Sequence, residues 1–375
     1  MSIKKRLKKI ILTTLIIVIV LFLVPVLYMQ LPLFGGKASG KRLEIMEKSP
    51  NYKDGQFHNL HNTILMVDNK GMGDMMKKKF DEEKYGLRPK DKIPSIKSDL
   101  KNISKDKDIA VWFGHSSYYI QIEGKRFLVD PVFSKHASPV PFIISAFEGT
   151  NIYSTDDMPE IDYLLITHDH YDHLDYSTVK ELKDKVKLVI CGLGVGAHLE
   201  RWGYPKEKII EMDWGNSKEL SKGFIINATT SRHFSGRGVN RNSTLWLSFV
   251  LQTPSMNFFL SGDGGYDTHF SEIGNRFGRI DLAFLETGQY NDKWKFIHSS
   301  PEQVSLEAKD LNATRVFPIH WGKFALADHP WKEPIERLSK ISKENNIRLV
   351  TPIIGEIVDL NNKNQTFFHW WENLK

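Results

Sequence analysis

The sequence predicts an α/β (or α+β) domain carried behind a single membrane-spanning helix, and three observations predict it. From residue 109 to the C-terminus, short apolar strand-like runs alternate with helical segments, the pattern of sheets covered by helices. Residues of metal-ligating type recur where those runs end. Residues 10–28 form one uncharged stretch, almost wholly Ile, Leu and Val. At 375 residues, 41% hydrophobic and 26% charged, the chain has the composition of a globular protein with a large core.

Taken in order, residues 1–9 carry Lys4, Lys5, Arg6, Lys8 and Lys9. The apolar run that follows is about the length that crosses a hydrocarbon core of roughly 30 Å, with Pro25 near its far end. Only Lys37, Lys41 and Arg42 follow it closely, so the charge bias puts the N-terminus in the cytoplasm and the body outside the cell membrane. A cleaved signal peptide would have an apolar core of about 7 to 15 residues and a small-x-small site after it. Leu27-Tyr28-Met29-Gln30-Leu31 offers no such site, so an uncleaved single-pass anchor is expected. Cys191 is the only cysteine, which excludes an internal disulfide and a thiolate metal site. The net charge of +6 is modest and its lysines are concentrated before residue 110. No nucleic-acid partner is indicated; an anionic lipid surface suits the same charge.

Residues 29–104 are rich in Gly, Lys and Asp, with breakers at Gly35-Gly36 and Gly71-Met72-Gly73. They predict a juxtamembrane stalk and an arm packing on the body. The run Met75-Met76-Lys77-Lys78-Lys79-Phe80 predicts a solvated basic helix. The compact domain spans residues 105–375. In it, residues 118–122 and 127–129 flank the turn Glu123-Gly124-Lys125, a β-hairpin signature that ends in Asp130-Pro131. His115, between the first two strands, is a candidate substrate-facing group. Ser177 is the expected N-cap of a helix over 177–185. Residues 186–191 read as a strand, and the glycines at 192, 194 and 196 open a helix without forming the G-x-G-x-x-G phosphate cradle.

Between these elements stands Thr167-His168-Asp169-His170-Tyr171-Asp172-His173, directly after the apolar run 161–166. Three imidazoles and the Asp172 carboxylate so close together are costly to hold unless they share a cation. Imidazole nitrogen and carboxylate oxygen are the donor set that suits zinc. Three further apolar runs then lead to His233, Asp263 and His320. A sheet whose strands deliver ligands from their ends gathers groups distant in sequence at one rim. Helices are expected over 301–310 and 334–344.

These residues resemble the metallo-β-lactamase superfamily, whose H-x-H-x-D-H motif stands here at residues 168–173. Within it, the chain is similar to the group of the N-acylphosphatidylethanolamine-hydrolysing phospholipase D and its bacterial relatives. The likeness lies in Trp112-Phe113-Gly114-His115-Ser116, Asp130-Pro131-Val132-Phe133-Ser134, Arg232-His233-Phe234-Ser235-Gly236-Arg237-Gly238, Ser261-Gly262-Asp263-Gly264-Gly265-Tyr266 and Ile319-His320-Trp321-Gly322.

The resemblance implies a four-layer αβ/βα sandwich with a metal site along one edge. It implies a first zinc on His168, His170 and His233, a second on Asp172, His173 and His320, and Asp263 bridging them; iron or manganese are the other candidates. A hydroxide held between two such metals would attack the phosphodiester of an N-acylphosphatidylethanolamine-like phospholipid. Asp172 and Asp263 would serve that catalysis. His298 is implied as a pocket residue contacting phosphate or protonating the leaving group, Tyr176 is a weaker candidate of that kind, and Asp169 and Tyr171 would support the site without ligating. A tethered catalyst meets lipid head groups at high effective concentration. The alternatives are a lactone, an amide or a small phosphorylated metabolite as substrate, or a tethered binding protein with a vestigial site. One departure touches the substrate: after Ser138-Pro139-Val140-Pro141-Phe142 the chain reads Ile143-Ile144-Ser145-Ala146-Phe147, where relatives often continue with a Gly-Pro-Lys-Arg-like turn.

Overall fold

The computed structural model describes residues 3–67, 72–140 and 142–375, so Gly71 and Pro141 of the stretches above lie outside the described residues. Helix α1 (Ile3–Tyr28) is fully exposed and is long and apolar enough to cross a membrane. It starts earlier than the apolar run, because the lysines before Ile10 are themselves good helix formers.

Packing against the body begins almost at once. After α2 (Lys41–Met46) and the small hairpin β1 (Tyr52–Lys53) and β2 (Gln56–Phe57), Met46 and Phe57 are buried against Leu193, Leu245 and Trp246. Arg42 is paired with both Glu200 and Glu211. Leu87 and Ile93 enter the main core. These contacts are those of an arm packed on the body. Helix α3 (Met72–Phe80) forms where a solvated basic helix was expected, with a correction. Lys78 turns to Asp328 and Lys79 donates to the Ala325 carbonyl, while Met76 and Phe80 face outward.

The domain itself is two seven-stranded sheets. The first contains β3 (Ile109–Trp112), β4 (Tyr118–Ile122), β5 (Lys125–Val129), β6 (Ile161–Ile166), β7 (Val186–Gly192) and β8 (Ile209–Met212), with α4 (Tyr176–Leu182) and α5 (Gly196–Arg201) between them. The second runs through β9 (Ser217–Ser221), β10 (Phe224–Thr229), β11 (Ser248–Gln252), β12 (Asn257–Leu260), β13 (Leu282–Glu286), β14 (Arg315–Ile319) and β15 (Arg348–Leu349). Here α6 (His269–Phe277), α7 (Pro301–Asp310) and α8 (Glu333–Glu344) make the crossovers, and β16 (Ile357–Asp359) returns to pair with β3. Both sheets are mixed: β5 to β8 and β12 to β15 are parallel.

Strand alternation explains the layering. In β4, Tyr118, Ile120 and Ile122 join the core between the sheets while Tyr119 faces outward. In β6, Leu165 points between the sheets, and Leu164 and Ile166 meet Val179 and Leu182 of α4. In β12, Phe258 and Leu260 point in, and Phe259 packs with Phe270 of α6 and Val304 of α7. Helices thus cover both outer faces, giving the four layers expected. The β4–β5 hairpin closes on Glu123-Gly124 alone, both with positive φ, because Ile122 pairs with Lys125. The N-cap of α4 is Asp175, whose carboxylate accepts from the Ser177 N–H; Ser177 is already inside the helix.

Candidate metal centre

The parallel strands bring their C-terminal ends to one rim, and the polar residues after β6, β10, β12 and β14 meet there. His168, His170 and His233 present ring nitrogens that all lie within 4.8 Å of one another, and so do the ligand atoms of His115, Asp172, His173 and His320. Asp263 stands between the two groups. Its Oδ2 is 3.2 Å from His173 Nε2 and 3.9 Å from both His168 Nε2 and His233 Nε2, and its Oδ1 is 3.0 Å from His320 Nδ1. The structure therefore brings together all seven predicted ligand positions.

Three of the imidazoles are held from behind. His173 Nδ1 lies 2.8 Å from Asp130 Oδ2, His233 Nδ1 2.9 Å from the Ile297 carbonyl, and His168 Nδ1 3.1 Å from Thr167 Oγ1. Asp130 also accepts from the Thr167 backbone N–H and hydroxyl, so it fixes the start of the motif loop as well as one ring. Such supports orient a ligand's free nitrogen. Asp169 faces away from the cluster, accepting from the Gly236 N–H and the Thr244 hydroxyl beneath the loop. His115, Asp130 and His320 all have positive φ. Left-handed backbone at three non-glycine residues in one site is strain held by the surrounding fold.

The electrostatics match a cation. Burial above all, then the neighbouring His173, holds the His168 imidazole well below its ordinary pKa; burial does the same to His233 and His320. These rings are neutral and able to donate a lone pair. His173 goes the other way: burial opposes its charge, but Asp263 and Asp172 outweigh burial and raise it well above the ordinary value. The carboxylates thus create an anionic field at the centre of the cluster. Asp263 Oδ1, His173 Nε2, His320 Nε2 and His115 Nδ1 are buried with no hydrogen-bond partner, each a state that costs about 1–3 kcal/mol. A donor set of imidazoles and carboxylates with orphaned, converging atoms fits two divalent cations.

Three further predicted residues fare differently. His298 reaches the cluster: its ring is 5.0 Å from that of His233 and 5.4 Å from that of His320. His115 is a correction, since it is fully buried beneath Asp172, with Nε2 2.9 Å from Oδ2, and cannot face substrate. Tyr176 is another: as the first residue of α4 it turns onto Trp202, with ring centroids 5.3 Å apart, away from the cluster.

Glu286, at the end of β13, was missed. Its Oε1 is 2.5 Å from His298 Nδ1, and its Oε2 accepts from the Gly264 N–H, next to Asp263. Burial pushes Glu286 up to about 7, while Glu286 raises His298 against its own burial. The two groups are within hydrogen-bond distance of each other. Its sequence signal was the one used elsewhere, a polar residue ending an apolar strand.

A groove of about 200 Å³ opens beside His298 between Leu65, Met66, Phe234, Arg241, Trp294 and Leu326. Leu326 also borders a groove of about 920 Å³ lined by Met76, Phe80, Phe142 and Ile143 together with the charged Lys79, Asp81, Glu82, Glu83 and Arg88.

Residues 125–321 match the Beta-lactamase superfamily domain, just over half of the chain and all seven ligand positions. The chain belongs to the β-lactamase superfamily. An uncharacterized protein of Mycobacterium tuberculosis is 35% identical over 84% of this chain and 86% of its own length. The N-acyl-phosphatidylethanolamine-hydrolyzing phospholipase D 1 of Caenorhabditis elegans is 29% identical over 66% of this chain and 74% of its own. Among solved structures, the metallo hydrolase Igni18 of Ignicoccus hospitalis superposes with a TM-score of 0.50 at 19% identity, covering 67% of this chain and 97% of that one. That likeness carries the fold alone and nothing about activity or substrate.

Proposed function

We propose that the chain is a membrane-anchored, dinuclear metal-dependent hydrolase, with zinc the metal best suited to its donors, acting on the phosphodiester of N-acylphosphatidylethanolamine-like phospholipids. One observation carries the metal reading: seven side chains delivered from the ends of four strands converge, with orphaned buried donor atoms, on one point. His168, His170 and His233 would hold one cation, and Asp172, His173 and His320 the other, with Asp263 shared. Bound there, the cations would supply a polarised water and neutralise charge developing on the phosphoryl oxygens.

The remaining roles belong to the protein. His298, braced by Glu286, holds a proton at the mouth of the site, suited to donation to a departing alkoxide. Arg241 puts a cation on the groove rim, where an anionic diester would pass. Leu65, Met66, Phe234 and Leu326 offer apolar walls to an acyl chain. The lipid substrate draws support from the phospholipase relative, from these walls and from an anchor helix that keeps the site at a lipid surface.

The test is a panel given to the purified full-length protein in mixed micelles: an N-acylphosphatidylethanolamine, a phosphomonoester, a lactone and a β-lactam, with metal analysis alongside. Release of phosphatidic acid from the first, with two metal equivalents bound, is expected. Turnover of the lactone or monoester with the lipid untouched overturns the substrate reading, and a single equivalent overturns the dinuclear one. Asp263→Asn should lose metal and turnover together while circular dichroism is unchanged.

A further inference from the structure

The end of helix α1 is wired to the loops around the metal cluster. Tyr28, the last residue of the helix, donates its hydroxyl to the Pro139 carbonyl at 2.5 Å. Arg201 donates to the Gln30 and Gly35 carbonyls, and the Trp202 indole N–H to the Pro32 carbonyl. Phe34 packs edge-on against both Tyr28, at 5.6 Å, and Tyr171 of the motif loop, at 6.4 Å. Arg237, which donates to the Asp169 and Leu174 carbonyls beneath that loop, also donates twice to the Leu33 carbonyl. No slack chain separates anchor from catalytic rim.

A tyrosine at the end of a membrane span sits at head-group depth. Its bond to Pro139 sets the loop beyond at the same depth, and that loop is apolar and exposed: Val140, Ile143 and above all Phe142, 83% accessible. A second loop also reaches the helix exit: a Cβ placed on Gly238 would lie 3.9 Å from the Phe34 ring. The next residue, Val239, is 79% accessible. Two loops with exposed apolar side chains therefore lie near the point where α1 ends. Loops carrying Phe and Val at that depth favour insertion at the boundary between head groups and acyl chains.

We infer that the catalytic domain lies directly on the bilayer, with the loop bearing Val140, Phe142 and Ile143 and the loop bearing Val239 embedded among the lipids beside α1, so that the metal rim is held at the membrane surface. The inference rests on α1 crossing the bilayer and is independent of which bond the enzyme cleaves. It also gives a physical role to the segment after Pro139, where the chain departs from its relatives.

Because the single native cysteine, Cys191, is buried, introduced cysteines can be labelled selectively with an environment-sensitive fluorophore. Full-length Phe142→Cys, Val239→Cys, Leu15→Cys and Glu160→Cys, the last at the opposite end of β6, would be placed in phosphatidylcholine–phosphatidylglycerol vesicles with lipids spin-labelled near the head group or at the chain end. At 142 and 239, blue-shifted emission quenched about twofold or more by the shallow label, and less by the deep one, is expected. At Leu15 the deep label should quench best, and at Glu160 neither should. Labels at 142 and 239 behaving like Glu160 while Leu15 is quenched overturn the docking and leave the span intact. An unquenched Leu15 overturns both, and quenching at Glu160 equal to that at 142 refutes a specific contact face. Hydrolysis of the substrate panel reads out none of these, so failure of the lipid-hydrolase reading is separately visible.

Discussion

Glu286 and Asp263 show how one residue type serves two ends at neighbouring strand termini. Asp263 faces four imidazoles and is held ionised despite its burial, first by His173 and then by His320. Glu286 faces only His298 and a backbone N–H, so burial prevails and its pKa rises. Glu286→Gln keeps the acceptor for Gly264 but presents an amide to His298 Nδ1, which can then no longer be held protonated. Turnover should fall roughly a hundredfold with metal content intact, the size expected of a lost general acid; steady-state kinetics with metal analysis checks it, and an unchanged rate removes the pair from catalysis.

Glu307 offers a test by pH. It is buried in α7, where burial pushes its pKa well above the ordinary carboxyl value although the Ser299 hydroxyl donates to it at 2.5 Å. With the folded pKa above the unfolded one, the folded state binds the extra proton. The stabilisation is complete below the unfolded pKa and is lost as pH rises through the folded one. Glu307→Gln keeps an acceptor for Ser299 without the ionisation. Its Tm should exceed that of the parent by several degrees at pH 8 and by little at pH 4; an equal difference at both refutes the buried neutral acid.

Among the elements, the decisive contact is where the two sheets meet at the rim. The Leu247 backbone N–H donates to the Thr167 carbonyl, joining the segment before β11 to the end of β6. Gly262, just past β12, fits against that junction. A Cβ there would stand 2.5 Å from the Leu247 carbonyl oxygen and 3.0 Å from Thr167 Cβ. Gly262→Ala must therefore part the strands that carry the motif loop and Asp263. A loss of about 1–3 kcal/mol is expected from such overpacking, with reduced metal occupancy, measurable by denaturant unfolding and metal analysis. Alanine tolerated on both counts would show that the two loops are not held by this contact.

For the whole molecule, the anchor and the catalytic rim form one unit, and truncations separate their contributions. Removing residues 1–29 deletes the membrane helix but keeps the carbonyls of Leu33 and Gly35 that Arg237 and Arg201 use. Removing residues 1–39 strips both, together with the Gly36 N–H that meets His198. The shorter deletion should keep the metal and a near-parental Tm. The longer should lower both, since a hydrogen bond to a buried charge is worth about 1.5–3 kcal/mol. Equal Tm for the two would show that the juxtamembrane segment only tethers. Chelation should lower the Tm of the intact protein, because ions that bind only the folded state stabilise it.

Strands β6, β10, β12 and β14, helix α7 to the residue, and the clustered residues His168, His170, Asp172, His173, His233, Asp263 and His320 were legible because their signals are local. Apolar periodicity, Pro and Ser at a helix start and imidazoles packed into one loop are properties of neighbouring residues, and they persist whatever the rest of the chain does. The roles of Asp130, Glu286 and Glu307, the burial of His115, the turning away of Tyr176 and the clamping of the anchor were decided only by folding. Each depends on which groups arrive from another element to desolvate, pair with or cover the side chain. No spacing along the chain encodes that meeting, because it exists only when β5 lies beside β6 and β13 beside β12.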